Sequence, residues 1–345
     1  MGMSVGICGI GSFAQNFIPL FKRHPLVDRV VLCDLDPAKL AAACDKFGLE
    51  NTCPSLEKLV ETDVDAVALF TQHDRHAPQA VQALRAGKHV YSAVPSAISM
   101  DELRDLVAAV SDTKRIYQIG ETSYYYPQAI YCRKRFRAGD FGYIVYGEGE
   151  YIHDWSHGLE HVYKTRFGAD WQKHVTIPPF YYPTHSTSLI VSVTGAHVRR
   201  VSGMGVKHQY KPGETDFTKV PGRLYANDFE NEVMLCQMSD GSVSRIGEFR
   251  RLGYAGRQCG VGMSLYGSEA SYEEQTGTDL WTAVWTGKTR DSIVDLTDTL
   301  RCGHAHASAT DRAAMKAGGM GEEIFRDVAS VHPVELLPDN YRGLG

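Results

Sequence analysis

Residues 9–14 read Gly-Ile-Gly-Ser-Phe-Ala, between an apolar run and a helical pattern. This is G-x-G-x-x-A in the setting the motif requires, with a strand before it and a helix after it. Gly9 permits the tight turn, Gly11 lets a pyrophosphate approach the backbone, and the small Ala14 lets helix and strand pack closely. Ser12 and Phe13 complete the loop. The helix N-terminus then offers free N–H groups and partial positive charge to an anion. Asp34 closes the next apolar run, about twenty residues on, where a carboxylate accepts the ribose hydroxyls of an adenosine. Leu35 follows it, with no arginine beside it to meet a 2′-phosphate. The expected cofactor is therefore NAD rather than NADP.

Other titratable groups are read more soberly. His73 and His76 follow the apolar run over 66–70, at the strand end where ligands bind in doubly wound sheets. Their expected task is loop structure and cofactor contact, not catalysis. His157-Gly158-Leu159-Glu160-His161 has the H-x-x-E-H of an inverted zinc motif, but that motif needs a helix and Gly158 interrupts it. No third ligand is evident, so no metal is expected. His304-Ala305-His306 reads as a solvated turn.

These residues need a frame. Through residue 120 or so, short apolar runs (4–8, 27–33, 66–70, 89–91, 116–119) alternate with helical patterns (12–22, 37–47, 77–86, 100–111). Such alternation predicts an α/β, doubly wound Rossmann domain, a parallel sheet with helices on both faces. Beyond 122 one helical pattern, 127–136, leads into alternating strands at 144–152, 198–208, 230–238, 242–250, 263–266 and 281–285, with a helix over 184–194. Ser239-Asp240-Gly241-Ser242 is a hairpin signal. This predicts an α+β domain with a mostly antiparallel open sheet, one face exposed or used for association. The expected division is a NAD-binding domain over 1–122, a substrate and oligomerisation domain over 123–330, and a tail over 331–345.

Composition narrows the function. The chain has 345 residues and a net charge of -5, with 43% hydrophobic and 22% charged residues. That balance gives no electrostatic case for nucleic acid. No stretch of ~18 apolar residues spans a membrane, and the first apolar run lacks the flanks of a signal peptide. Eight cysteines are scattered without a C-x-x-C, which reads as reduced thiols and a cytoplasmic location.

A-G-K-H-V over 86–90 with Pro95, after Thr71-Gln72-His73 and His76, resembles the Gfo/Idh/MocA oxidoreductases. The resemblance covers nearly the whole chain and implies that Thr71, Gln72, His76 and Pro95 contact the cofactor. Members usually carry Glu-Lys-Pro at the end of the strand after Lys-His-Val; here Ala93-Val94-Pro95 stands there and the lysine is absent. The Asp-x-x-x-His pair that usually opens the second domain's helix is absent too. In their place are Glu121 after the strand over 116–119, Gly-Glu-Gly-Glu-Tyr-Ile-His-Asp over 147–154 with Tyr151, and Tyr182-Pro183-Thr184-His185. This set is similar to the NAD-dependent glycoside hydrolases typified by glycoside hydrolase family 109. Those enzymes oxidise the sugar at C3, eliminate the aglycone, add water and reduce the ketone again.

The chemistry has a clear demand. A glycoside C2–H is not acidic until C3 is a ketone. A base must then remove it, and a donor must meet the enolate oxygen. His185 is of the residue type that most often transfers protons, and suits that role. Tyr151 suits a sugar oxygen, and Glu121 suits orienting the nicotinamide side or relaying a proton. Lys164, Arg166, Lys173 and His174, with Trp171 and Tyr182, form the expected substrate-binding stretch. Several donors there suit an anionic sugar such as a sulfoquinovoside. The expected protein is thus an NAD-dependent glycosidase acting on a small-molecule glycoside. The rival readings are a pyranoside 3-dehydrogenase or 3-ketoglycoside lyase, and a non-enzymatic NAD-binding sensor. The resemblance implies a homo-oligomer, dimer or tetramer.

Overall fold

The computed structural model describes residues 2–152, 163–164, 168–174, 180, 183–207, 209, 212–213, 215–216, 219–220, 229–249, 260–275, 278–283 and 293–297. They fall into two compact units, one ending at Glu121 and one beginning at Thr122.

In the first unit the elements run β1 (Met3–Cys8), α1 (Ala14–Arg23), β2 (Val27–Cys33), α2 (Pro37–Phe47), β3 (Thr52–Cys53), α3 (Leu56–Glu61), β4 (Ala66–Leu69), α4 (His76–Arg85), β5 (His89–Ser92), α5 (Met100–Thr113) and β6 (Tyr117–Ile119). The sheet order is β3-β2-β1-β4-β5-β6, and the strands pair in parallel. This is the doubly wound order whose switch point lies between β1 and β4. Local chemistry sets the helix ends. Asp36 accepts from the N–H groups of Ala38 and Lys39 ahead of α2, with Pro37 in its first turn. Gly48 ends α2 in the left-handed conformation at φ +59°. Ser99 caps α5 through the Glu102 N–H, and Glu102 reaches back to the Ile98 N–H at 2.9 Å. Alternation along β1 puts Val5 and Ile7 into one core with Ile18 and Leu32, and Cys8 into the other with Leu59, Leu69 and Leu84.

Two elements had no sequence signal. β3 is two residues long and α3 six, too short to display a period. Yet α3 is core: Leu59 is fully buried, and a Cβ on Gly6 would come within 2.6 Å of its side chain. β1 leaves a gap at Gly6 that α3 fills. The first helix starts at Ala14 rather than residue 12, since Ser12 and Phe13 belong to the turn.

In the second unit the elements are α6 (Pro127–Arg137), β7 (Ile144–Ile152), α7 (Pro183–Thr194), β8 (Val198–Lys207), β9 (Phe229–Met238), β10 (Val243–Phe249), β11 (Gly260–Gly267), β12 (Ala270–Gln275), β13 (Thr278–Ala283) and β14 (Ile293–Asp295). The sheet order is β14-β13-β12-β11-β7-β10-β9-β8. It is not a plain meander. β7 sits inside it, parallel to β10 and antiparallel to β11, and the remaining pairs are antiparallel. The hairpin between β9 and β10 turns at Gly241, φ +91°, with Asp240 accepting from the Ser242 N–H and hydroxyl. Helix α7 supplies Leu189, Ile190 and Val193 to a core shared with Ile246, Met263, Leu265 and Tyr272. On the other face Arg245 pairs with Glu148 at 3.3 Å and with Glu150, Tyr146 stacks on Tyr266, and Met204, Val206, Leu235 and Val243 are exposed.

Leu59→Ala should cost about 2–5 kcal/mol of stability, the usual range for emptying a core leucine site. Denaturant unfolding followed by circular dichroism checks this. A loss within about 0.5 kcal/mol would mean that α3 rests on the sheet rather than filling it.

Candidate active site

The glycine loop is held from beneath. The Gly9 N–H donates to the Cys33 carbonyl at 2.8 Å, and Phe70 N–H to the Cys8 carbonyl at 2.8 Å. Gly9 has φ +89°, and a Cβ there would lie 2.8 Å from the Phe70 carbonyl oxygen. Both its conformation and its neighbours demand glycine. Gly11 differs: no described atom lies within 4 Å of its Cβ position. That is the opening a pyrophosphate requires. Helix α1 begins at Ala14 with no acid in its first turn and Lys22 and Arg23 in its last. Its positive end is thus left unneutralised, facing the loop. Phe13 lies at the helix start, edge-on to Phe70 with ring centroids 6.1 Å apart.

Asp34 is tied into this loop. One carboxylate oxygen accepts from the Ile10 N–H at 2.8 Å and the other from the Asp36 N–H at 3.0 Å. Each oxygen keeps acceptor capacity for a ribose hydroxyl. Open glycine, bare helix end and anchored carboxylate together fit a dinucleotide.

The far side of the switch point is organised by His76. Its ring is buried, with Nδ1 2.8 Å from the Pro95 carbonyl oxygen and Nε2 3.0 Å from that of Thr71. It thereby bridges the chain after β4 to the chain after β5. Burial holds its pKa below the ordinary histidine value. The Thr71 hydroxyl is 2.5 Å from Gln79 Oε1, and Gln72 precedes a short 3-10 turn over His73–Arg75. Glu121 is buried just past β6.

In the second unit two separate motifs meet. Tyr151 lies near the end of β7, and His185 is in the first turn of α7. Their ring centroids are 4.9 Å apart at 73°, an edge-to-face contact. Ser123 donates its hydroxyl to the His185 carbonyl at 2.9 Å and lies 2.9 Å from Ser188 Oγ. The expected substrate stretch is partly placed. Lys164 holds its ammonium 5.8 Å from the centre of the Trp171 ring. Trp171 itself is 7% exposed and packs on Tyr163. Arg166, Tyr182, the side chains of Lys173 and His174, and the segments 157–161 and 304–306 lie outside the described residues.

Sequence reasoning passed over three side chains beside this pair. Ser186 follows His185 and donates its hydroxyl to Glu248 Oε1 at 2.5 Å. Glu248 on β10 is 1% exposed, and Glu232 on β9 is 5% exposed. Glu232 accepts from the Phe180 N–H at 2.5 Å. The signal was available: both acids fall at inward positions of their strands, in step with Ile246 and Met234. Among the described residues no three His, Cys, Asp or Glu side chains group to hold a metal, and no helix is long and apolar enough to cross a membrane.

Residues 3–121 match the model of the Gfo/Idh/MocA oxidoreductase family, with its NAD-binding Rossmann fold. A glycosyl hydrolase family 109 protein of Saccharopolyspora erythraea is 30% identical over 201 residues, 52% of this chain and 42% of that protein. One from Shewanella amazonensis is 28% identical over 193 residues, again 52% and 42%. The match thus spans less than half the length of these curated relatives. Among solved structures, an oxidoreductase domain protein from Kribbella flavida superposes with a TM-score of 0.66 at 22% identity, over 86% of this chain and 79% of that one. A levoglucosan dehydrogenase in complex with NADH and levoglucosan gives 0.66 at 19%, over 86% and 79%. The scyllo-inositol dehydrogenase of Lactobacillus casei, with NAD(H) and scyllo-inositol bound, gives 0.66 at 18%, over 86% and 82%. These share the fold.

Two predictions concern the cofactor loop. Gly9→Ala should lower the melting temperature, since strain of this kind costs about 1–3 kcal/mol. Gly11→Ala should melt like the wild type yet bind NAD more weakly by calorimetry. Undiminished NAD binding in Gly11→Ala would remove the pyrophosphate from this loop. Asp34→Arg should shift preference from NAD towards NADP. Asp34→Asn, which keeps an acceptor for the Ile10 N–H, should weaken NAD without gaining NADP. An unchanged NAD affinity in both variants would show that Asp34 serves only the loop.

Proposed function

We propose that this chain, whose residues 3–121 match the Gfo/Idh/MocA oxidoreductase family model, cleaves a hexopyranoside by transient oxidation at C3. The observation that carries the reading is the meeting of Tyr151 and His185. It joins the two motifs that take the place of the absent lysine, while the first unit keeps a complete dinucleotide loop. The relatives named glycosyl hydrolase family 109 support the same reading.

NAD, when bound, supplies the hydride acceptor at the start and the hydride donor at the end. Gly9, Gly11, Ser12, Phe13 and Ala14 would hold its pyrophosphate, Asp34 its adenosine ribose, and Thr71, Gln72, His76 and Pro95 its nicotinamide side. The protein's own work is proton handling. With C3 a ketone, His185 takes the proton from C2, and the C1 substituent departs with the bonding electrons. Tyr151 hydrogen-bonds the oxygen that gains charge as the enolate forms. Water then adds at C1, its proton passing to the departed oxygen of the C1 substituent, and the proton held by His185 returns to C2. Glu121 orients the nicotinamide side or relays the hydroxyl proton of C3. Tyr151 is 9% exposed, so its hydroxyl acts with little competition from water.

A pyranoside 3-dehydrogenase is the competing reading, favoured by the solved dehydrogenases that share the fold. Ala93-Val94-Pro95 does not separate the two readings, since both begin by removing the C3 hydroxyl proton and neither has a lysine there to take it. Free NADH accumulates with turnover in a dehydrogenase and does not in the glycosidase. The substrate is read as anionic from Lys164, Arg166, Lys173 and His174, and a sulfonated sugar such as a sulfoquinovoside fits that stretch. The open face of the second sheet, with Met204, Val206 and Leu235 exposed, suits pairing of two copies.

The test is a panel of 4-nitrophenyl glycosides, neutral and anionic, with wild type and His185→Ala. His185→Ala should retain fold and NAD binding and lose cleavage by roughly 10²–10⁴-fold, the usual share of a general acid or base. Deuterium uptake at C2 from heavy water should fall with it. Cleavage at the wild-type rate would end the assignment. If uptake persists while cleavage stops, His185 acts at leaving-group departure and the base lies elsewhere.

A further inference from the structure

Glu248 needs an explanation that the mechanism above does not give. It lies on the helix-facing side of β10 and is 1% exposed. Its partner directly across on β9 is Glu232, also buried. Burying a carboxyl group costs stability, and a second one directly opposite adds to that cost. Sheet packing is therefore not what Glu248 serves. It gains instead a hold on α7, since the Ser186 hydroxyl donates to its Oε1 at 2.5 Å.

Three independent anchors converge on the same turn of α7. The Ser186 hydroxyl is held by Glu248. The Ser186 carbonyl lies against Gly149 of β7, where a Cβ would overlap it. The preceding carbonyl, that of His185, is held by the Ser123 hydroxyl at 2.9 Å. A helix start of ordinary structural importance needs one cap. The same row also carries Tyr151: Glu248 pairs in register with it across the parallel β7–β10 ladder, a strand spacing of about 4.8 Å. Glu248 is thus one strand away from Tyr151 and one residue away from His185. It both touches the helix and neighbours the tyrosine.

We propose that Glu248 is a positioning residue, which through Ser186 fixes the first turn of α7 so that the His185 ring meets the edge of Tyr151. The function assigned to that pair rests on the reading above; the positioning does not. It acts by hydrogen-bond geometry, and an acceptor of similar shape should serve as well.

The contact provides a signature independent of turnover. An imidazole 4.9 Å from a tyrosine ring carries that ring's magnetic shift in its Cε1–H resonance. The resonance is identified in histidine-labelled protein by its loss in His185→Gln, and Tyr151→Leu sets the size of the shift. Ser186→Ala and Glu248→Ala should both move it towards the Tyr151→Leu position, and Glu248→Gln should restore the wild-type value. On the accepted nitrophenyl glycoside, kcat should fall by up to about 100-fold in Ser186→Ala, the scale of a misplacement of an ångström, with KM little changed. Ser186→Ala removes one hydroxyl and keeps the helix, so the test survives if Glu248→Ala does not fold. An unmoved resonance in folded Ser186→Ala would overturn the inference. So would a Glu248→Gln protein as displaced as the alanine variant. A moved resonance in a protein that cleaves no glycoside would uphold the positioning and sink the glycosidase reading.

Discussion

Backbone meets backbone where the first turn of α7 lies on β7. Gly147 and Gly149 leave no side chains between them, and the Ser186 carbonyl occupies the space a Cβ on residue 149 would need. Most of the second unit's arrangement follows from that approach. It brings Ser186 within reach of Glu248, sets His185 against Tyr151, and lays Leu189 and Ile190 onto the sheet. Close packing here is rigid, because the glycines have nothing to yield. Any side chain at 149 would lift the helix start and separate the two rings.

The first unit uses a comparable economy. Gly9 lets β1 turn against the end of β4, and Asp34 binds the loop that follows through the Ile10 N–H. One carboxylate therefore shapes the loop and keeps acceptor capacity to spare. His76 sits across β4 and β5 with a ring nitrogen close to a carbonyl oxygen on each side, donating to one of them in its neutral form.

How much of this could be read from residue order follows from range. Parallel strands and amphipathic helices display a period, so the elements up to Ile119 were legible apart from β3 and α3, which are too short to repeat one. Asp34 and the glycines were legible because the cofactor loop is local. Tyr151 and His185 came from a resemblance, and no spacing rule would have joined them: 34 positions separate them in sequence, and only the fold makes them neighbours. Glu248 and Glu232 were missed although an acid at an inward strand position is itself a signal. The place of β7 beside β10 and β11 was not legible, because strand order is set by pairing between distant segments.

The proposed cleavage requires that the bond at C1 breaks only while C3 is oxidised. The direct measurement uses the accepted 4-nitrophenyl glycoside deuterated at C3, with NAD-loaded and NAD-stripped protein. The account predicts cleavage by the loaded protein alone and a sugar product that keeps its deuterium at C3, because the hydride leaves and returns within one bound cofactor. Equal cleavage by the stripped protein, or a product that has lost the label, would contradict it.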